Sequence, residues 1–222
     1  MDLGPILIFI PIAFSTLFPV VNPIGTGILF LNLTTEASSP LRRQIARKIA
    51  ANSLVVMLFV LMIGLYVLEL FGLSIPVVQL CGGLILFFMG WQSLHSSDGT
   101  NDASKKDYVR EDVKSVYENQ AFYPFTFPLT IGPGTIAAGL TLSAEASKTA
   151  GIIKWENYLG ITIAMLLVAI VIYISYGYSD LIVHRLSPSL RKVIMRLLNF
   201  ILLCIGGQIT VNGIHAIIQS FQ

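Results

Sequence analysis

Phe18-Pro19-Val20-Val21-Asn22-Pro23-Ile24-Gly25-Thr26 is the stretch on which the reading of this chain turns. It sits inside a long apolar run, yet Pro19, Pro23, Gly25 and Gly27 fall within nine residues of one another. Proline removes a backbone donor and clashes with the preceding turn, and glycine lets the chain leave helical geometry. The stretch has an echo 109 positions later, Phe127-Pro128-Leu129-Thr130-Ile131-Gly132-Pro133-Gly134-Thr135. Phe18/Phe127, Pro19/Pro128, Gly25/Gly134 and Thr26/Thr135 are identical, and Leu31/Leu140 and Leu33/Leu142 extend the match. Apolar coincidences carry little weight, but paired Phe-Pro and Gly-Thr do, because Pro and Gly are costly inside a helix.

Around these two stretches the chain divides into six apolar windows: residues 3–35, 49–68, 70–97, 119–144, 157–179 and 197–222. Each is long enough to cross a bilayer as a helix, which takes about 20 residues. Runs such as Leu54-Val55-Val56-Met57-Leu58-Phe59-Val60 are apolar on all sides, whereas the strands of a membrane barrel alternate with period two. Composition agrees. The 222 residues are 55% hydrophobic and 12% charged, half the charge of an ordinary soluble domain, and mean hydropathy is +0.77. Disorder is excluded, a soluble globular domain is disfavoured, and a net charge of +2 is too small for a nucleic-acid footprint. The fold class is all-α integral membrane with six transmembrane helices.

Ser39-Pro40 and Ser187-Pro188 each read as an N-cap followed by a first-turn proline. Residues 96–118 carry ten charges of mixed sign and read as a solvated linker between two three-helix repeats, 1–95 and 119–222. Lys and Arg set the orientation. Twelve of fourteen fall after helices one, three and five, among them Arg42, Arg43, Lys105 and Arg185, and only Lys148 and Lys154 lie on the other side. By the positive-inside rule the linker is cytoplasmic and both termini lie outside. Three spans per repeat is an odd number, so the second repeat enters from the opposite face, a 3+3 inverted-topology repeat of the kind common in secondary transporters. Helices one and four are expected to be broken near mid-membrane, with half-helices restarting at Ile24 and Pro133. Such breaks must be buried in protein or line a wet cavity. A restarting half-helix offers N–H groups to a carboxylate, and the opposing carbonyl end suits an ammonium group. The pair reads as a site for a small zwitterion or polar solute.

Asn22-Pro23-Ile24-Gly25, Gly132-Pro133-Gly134-Thr135-Ile136 and the ending Gly206-Gly207-Gln208-Ile209-Thr210-Val211-Asn212-Gly213-Ile214 resemble the MarC family of bacterial inner-membrane proteins. The resemblance covers essentially the whole chain, including its length, six spans and charged central loop. It implies an inner-membrane location and transport of small neutral amino acids, often as export. It carries substrate contact to Asn22, Pro23, Gly25, Thr26, Gly132, Pro133, Gly134 and Thr135. Ile131 stands where Asn22 does in the first motif, so the site would have one amide side chain and be asymmetric.

The remaining residues read as structural. Gln79, Gln92, Asn199, Gln208 and Asn212 suit hydrogen bonds between helices, and Gln208 and Asn212 fall on one helical face. Gly82-Gly83 and Gly206-Gly207 suit close helix packing, with Gly90-Trp91-Gln92 a weak echo of Gly206-Gly207-Gln208. Cys81 and Cys204 read as packed small hydrophobes. Glu69 and Asp180 fall at span ends, and no carboxylate lies deep enough for a proton relay. His95, His184 and His215 are too far apart to share a metal. The amino terminus lacks the basic region of a cleaved signal peptide. No nucleophile–base pair or metal cluster suggests an enzyme, and no cofactor is expected. The expected partners are the solute and the lipid bilayer, with a homo-oligomer left open and nucleic acid excluded. A channel-like pore and a non-catalytic partner subunit are the alternatives to a transporter.

Overall fold

The computed structural model describes residues 3–95, 113–147, 155–181 and 187–220, and among them every regular element is a helix. α1 is Leu3–Val21, α2 Pro23–Leu33, α3 Ser39–Leu70 and α4 Ile75–His95. After the charged stretch come α5, Val113–Gln120, a loosened segment Ala121–Thr130, and α6, Pro133–Ser147. α7, Trp155–Gly177, and α8, Pro188–Gln219, complete the chain. Five spans are continuous or nearly so, α1 and α2 together making one 30-residue span from Gly4 to Leu33. A further apolar pair, Lys114–Thr130 and Pro133–Ser147, is bent by 69° and forms either a broken sixth span or a re-entrant loop. A 32-residue α3 is about 48 Å long against a hydrocarbon core of about 30 Å, so it reaches beyond the core and carries Arg42, Arg43, Arg47 and Lys48 in its first turns.

Helix boundaries follow local chemistry. The Ser187 hydroxyl accepts from the Leu190 N–H at 3.2 Å and Pro188 fills the first turn, as its sequence predicts. At α3 the N-cap is Ser38 rather than Ser39, and Ser38 makes no side-chain cap bond. Ser39 instead bonds Asp180, a tertiary contact that displaces the local cap. α3 ends on Gly72 at φ 64, with the Leu73 N–H bonded to the Leu68 carbonyl at 2.9 Å. That closure needs the left-handed conformation glycine adopts freely.

The main core joins α1, α2, α3, α6 and α7, with Leu17, Phe30, Ile45, Leu61, Leu142 and Met165 fully buried. α7 is central, packing on α1, α2 and α3, while α6 lies against α3 and α4. α4 and α8 pair along their length beside this bundle, tied to it by a smaller cluster of Leu86, Leu202 and Ile209 with Val20. Large apolar side chains such as Leu7, Phe59, Phe88 and Ile170 point outward, as helices facing hydrocarbon require. Cys81 and Cys204 are exposed too, contrary to the expectation of packed cysteines. Outside a membrane bundle is itself apolar, so a small hydrophobe gains nothing by being inside.

Glycines set the α4–α8 register. A Cβ at Gly83 would lie 2.8 Å from the Gly206 carbonyl oxygen, and one at Gly206 would lie 2.8 Å from that of Gly83. Gly90 faces the Leu203 backbone, and Gly213 faces the Leu80 backbone. These two relations are equivalent under one offset of 123, which carries Gly83 to Gly206, Leu80 to Leu203 and Gly90 to Gly213. The echo of Gly90 with Gly206 is therefore one heptad out of register. Gly207 meets nothing closer than 3.7 Å and is not a contact glycine.

Candidate functional site

The first break is one residue wide. Asn22 lies at φ 48, ψ 54, a left-handed conformation that asparagine tolerates better than other side-chain-bearing residues. Its Oδ1 accepts from the Gly25 N–H at 3.2 Å, and its carbonyl accepts from both the N–H and the hydroxyl of Thr26 at 3.0 and 2.9 Å. Each residue of the motif thus has a local reason. Asn22 turns the chain and caps α2, Pro23 occupies the first turn without a donor to satisfy, and Gly25 leaves room for the cap. A Cβ at Gly25 would lie 2.6 Å from Asn22 Nδ2. α2 begins at Pro23, one residue before the expected Ile24. Asn22 Nδ2 has no partner among the described residues, so it is this break's free side-chain donor.

The second break is wider and built differently. Tyr123 and Phe127 are extended at ψ 123 and 126, each directly before a proline, where the α conformation is disfavoured. Backbone bonding widens here, with the Ile131 N–H reaching the Thr126 carbonyl at 2.8 Å. The Thr126 and Thr130 hydroxyls donate to the Ala121 and Phe125 carbonyls, both at 2.7 Å, satisfying acceptors where water is excluded. Ile131 is buried, and Gly132 holds the N-cap position of α6 without a side chain to cap it. Pro133 is exposed, Gly134 is buried under the Leu86 side chain, and Thr135 is 4% exposed.

α1 packs on α6 and α2 on the loosened segment, and α4 and α7 bridge the two motifs as well. On one side Leu86 of α4 covers Gly134 and belongs to the cluster against which Val20, just before the first break, packs. On the other, the Tyr176 hydroxyl lies 2.7 Å from Thr130 Oγ1 and faces the Thr26 hydroxyl. The Tyr176 ring is 4.9 Å from that of Phe30, which makes an edge contact with Phe125 at 5.2 Å. Beside Pro133 an open apolar cavity of about 260 Å³ runs between Leu73, just before α4, Val77, Cys81 and Ile85 of α4 and Ile136 of α6.

Each short half-helix is also held at its far end. Arg42, 6% exposed, donates from Nε to Thr34 Oγ1 at 3.2 Å and from Nη2 to the Thr34 and Ala37 carbonyls at 3.0 Å. Its Nη1 is 3.6 Å from Asp180 Oδ2, which also accepts from Ser39 Oγ at 2.8 Å. Burial pushes the Asp180 carboxyl up, but hydrogen bonds from Ser39 and the Leu181 N–H and the charge of Arg42 outweigh it and hold the group below the ordinary carboxylate value. α6 ends in a neutral arrangement: Ser143 Oγ donates to the Leu61 carbonyl at 2.7 Å and Asn157 Nδ2 to the Ala146 carbonyl at 3.1 Å.

Sequence reasoning missed Tyr176, Thr130, Arg42 and Asn157 and placed Asp180 as a plain interfacial residue. Only the pair Thr126 and Thr130 beside two prolines signalled hydroxyls repairing a disturbed backbone. Gln208 does bond Asn212, at 2.9 Å, but within α8 rather than between helices. His95 stacks on Trp91 at 4.1 Å, far from the breaks, and His184 lies outside the described residues. No group of three metal-ligating side chains forms among the described residues.

A family model described as MarC family integral membrane protein matches residues 7–218. The inner membrane protein MarC of Escherichia coli strain K12 is 31% identical over 209 residues, 93% of this chain and 94% of its own. The protein of the same name from Shigella flexneri gives the same figures. No solved structure matches the chain.

Proposed function

This chain belongs to the MarC family of integral membrane proteins, and we propose that it acts as a secondary transporter of a small neutral amino acid or similar zwitterion. It is a multi-pass protein of the inner membrane. The observation that carries the reading is the matched pair of breaks, at Asn22 and at Ile131–Gly132, with a half-helix restarting on proline after each. The finer architecture we read as a 3+3 inverted-topology repeat. Supporting it, the reciprocal Gly83/Gly206 and Gly90/Gly213 contacts have the form of a pseudo-two-fold axis between α4 and α8. The Lys/Arg asymmetry supports a cytoplasmic central loop with both termini outside.

In this reading the two breaks play different parts. α2 has its N-terminus capped by Asn22 Oδ1, so its affinity for an anion is already partly spent. α6 has only Gly132 at its N-cap, and its opening N–H groups with Thr135 are the better partners for a substrate carboxylate. Asn22 Nδ2 supplies a further donor, and the carbonyl end of α1 faces the ammonium. The chain does no covalent chemistry and uses no cofactor; its work is to bind and to alternate access. The test is uptake of labelled alanine, glycine and threonine into vesicles carrying the purified protein. Saturable uptake, blocked by unlabelled substrate and lost on Thr135→Val, supports the transporter. Flux linear in solute concentration makes it a pore, and no flux of any of the three from folded protein removes the amino-acid reading.

A further inference from the structure

Hydroxyls on these helices return to their own backbone: Thr26, Thr34, Thr141 and Thr210 each donate to the carbonyl four residues earlier. A helix surrounded by hydrocarbon satisfies a hydroxyl in this way. Ser53 of α3 does not. It is 0% exposed, and among the described residues its Oγ is the one buried side-chain polar atom without a hydrogen-bond partner. Burying an unpaired hydroxyl is unfavourable, and alanine is the better helix former. Sequences break such local rules where a site needs the group.

The place of Ser53 follows from its neighbours on the helix. Ala46, Ser53 and Val60 are seven residues apart and share one face of α3. Ala46 faces Gly177 of α7 and Val60 faces Gly139 of α6, so Ser53 points into the bundle between these two contacts. α3 and α6 run the same way, since Val60 meets Gly139 and Gly64 meets Leu140. Seven residues of α3 rise about 10 Å, and the six from Gly139 back to Pro133 about 9 Å. Ser53 therefore stands at the height of Gly132 and Pro133, where α6 begins at the second break. Thr135, two residues into α6, is 4% exposed, and its hydroxyl likewise makes no hydrogen bond among the described residues. Its counterpart in the first motif, Thr26, bonds back to the Asn22 carbonyl. Two buried hydroxyls without partners thus share a level with a helix start that has no side-chain cap.

We propose that Ser53 is a solute-binding residue whose hydroxyl donates to the carboxylate held at the second break by Thr135 and the start of α6. The proposal rests on the transporter reading and adds α3 to its site. Ser53→Ala removes an unpaired group from a helix, so without solute it melts no lower than the parent. In vesicles it raises KM for labelled alanine about tenfold or more, the worth of a hydrogen bond to a charged group. Ser53→Cys keeps the volume with a weaker donor, falls between the two, and carries the test if the alanine variant does not fold. Unlabelled alaninamide, which has no carboxylate, competes poorly with labelled alanine in the parent, and Ser53→Ala narrows the gap between alaninamide and alanine. A lower melting temperature with unchanged KM makes Ser53 a structural residue and overturns the contact, as does an unchanged gap between the competitors. Uptake that is equal in the parent and Ser53→Ala removes the contact and keeps the transporter; no uptake of alanine by the folded parent removes both.

Discussion

The hydroxyls of Thr130 and Tyr176 meet at 2.7 Å, both buried, and the Thr26 hydroxyl faces the same phenol. Thr130 gives its proton to the Phe125 carbonyl, which leaves its oxygen able to accept from the phenol. The bond joins the end of the loosened segment Ala121–Thr130 to the central helix α7, whose Tyr176 ring also carries Phe30 of α2. One side chain thereby ties together the segments flanking both breaks.

Tyr176→Phe keeps the ring contact and strands no donor, so it lowers stability by about 1 kcal/mol. Thr130→Val removes one hydroxyl neighbour of the phenol and leaves the Thr26 hydroxyl as an acceptor, so it too costs about 1 kcal/mol. The double variant loses less than the sum of the two, because both act on one bond. Thermal unfolding in detergent of the three variants checks this; strict additivity contradicts it.

Asn22 separates cap from conformation. Asn22→Ala removes the cap on Gly25 and puts a Cβ-bearing residue without asparagine's tolerance at φ 48, for a combined loss of about 2 kcal/mol. Asn22→Gly relieves the backbone and loses only a few tenths on the cap, so it recovers most of the melting temperature. Neither restores Nδ2, so alanine uptake stays low in both. Uptake that returns with stability in the glycine variant would show that Asn22 serves the backbone and not the solute.

The α4–α8 register makes neighbouring glycines unequal. Gly206→Ala drives a Cβ into the Phe87 backbone and costs about 1–3 kcal/mol of overpacking. Gly207→Ala meets only the Phe87 ring at ordinary distance and stays within about 0.5 kcal/mol of the parent. Melting curves that shift equally for the two would contradict the register.

What could be read from sequence follows what each residue type encodes. Asn, Pro and Gly constrain the backbone wherever they stand, so Asn22-Pro23-Ile24-Gly25 announced a break and placed it to within one residue. Length and charge announced the spans, because a bilayer imposes both. Partner choice was not legible. Apolar side chains in a membrane are exchangeable, so nothing local distinguished an α4–α8 offset of 123 from the heptad-shifted alternative. Arg42 stands among three other basic residues, Arg43, Arg47 and Lys48, and only the folded chain turns it inward to Thr34 and Asp180. Nothing in the sequence around Tyr176 marks it; its role depends on α2 and the loosened segment lying beside it.

Asp180 gives the last prediction, and its sign can be worked out. The folded chain favours its carboxylate, with the Ser39, Leu181 and Arg42 interactions together outweighing burial, so the folded value lies below the unfolded one. A group of this kind contributes stability that is present above its unfolded pKa and lost as pH falls through the folded one. The Arg42–Asp180 fastening therefore holds unchanged from about pH 8 down to about pH 5 and weakens only in stronger acid. The Asp180 contribution to thermal stability in detergent, measured as the parent against the Asp180→Asn variant, should be flat over that interval. A difference between parent and variant that shrinks as pH drops from 7 to 5 would mean that Asp180 protonates easily, and so that desolvation outweighs Ser39, Leu181 and Arg42 in its surroundings.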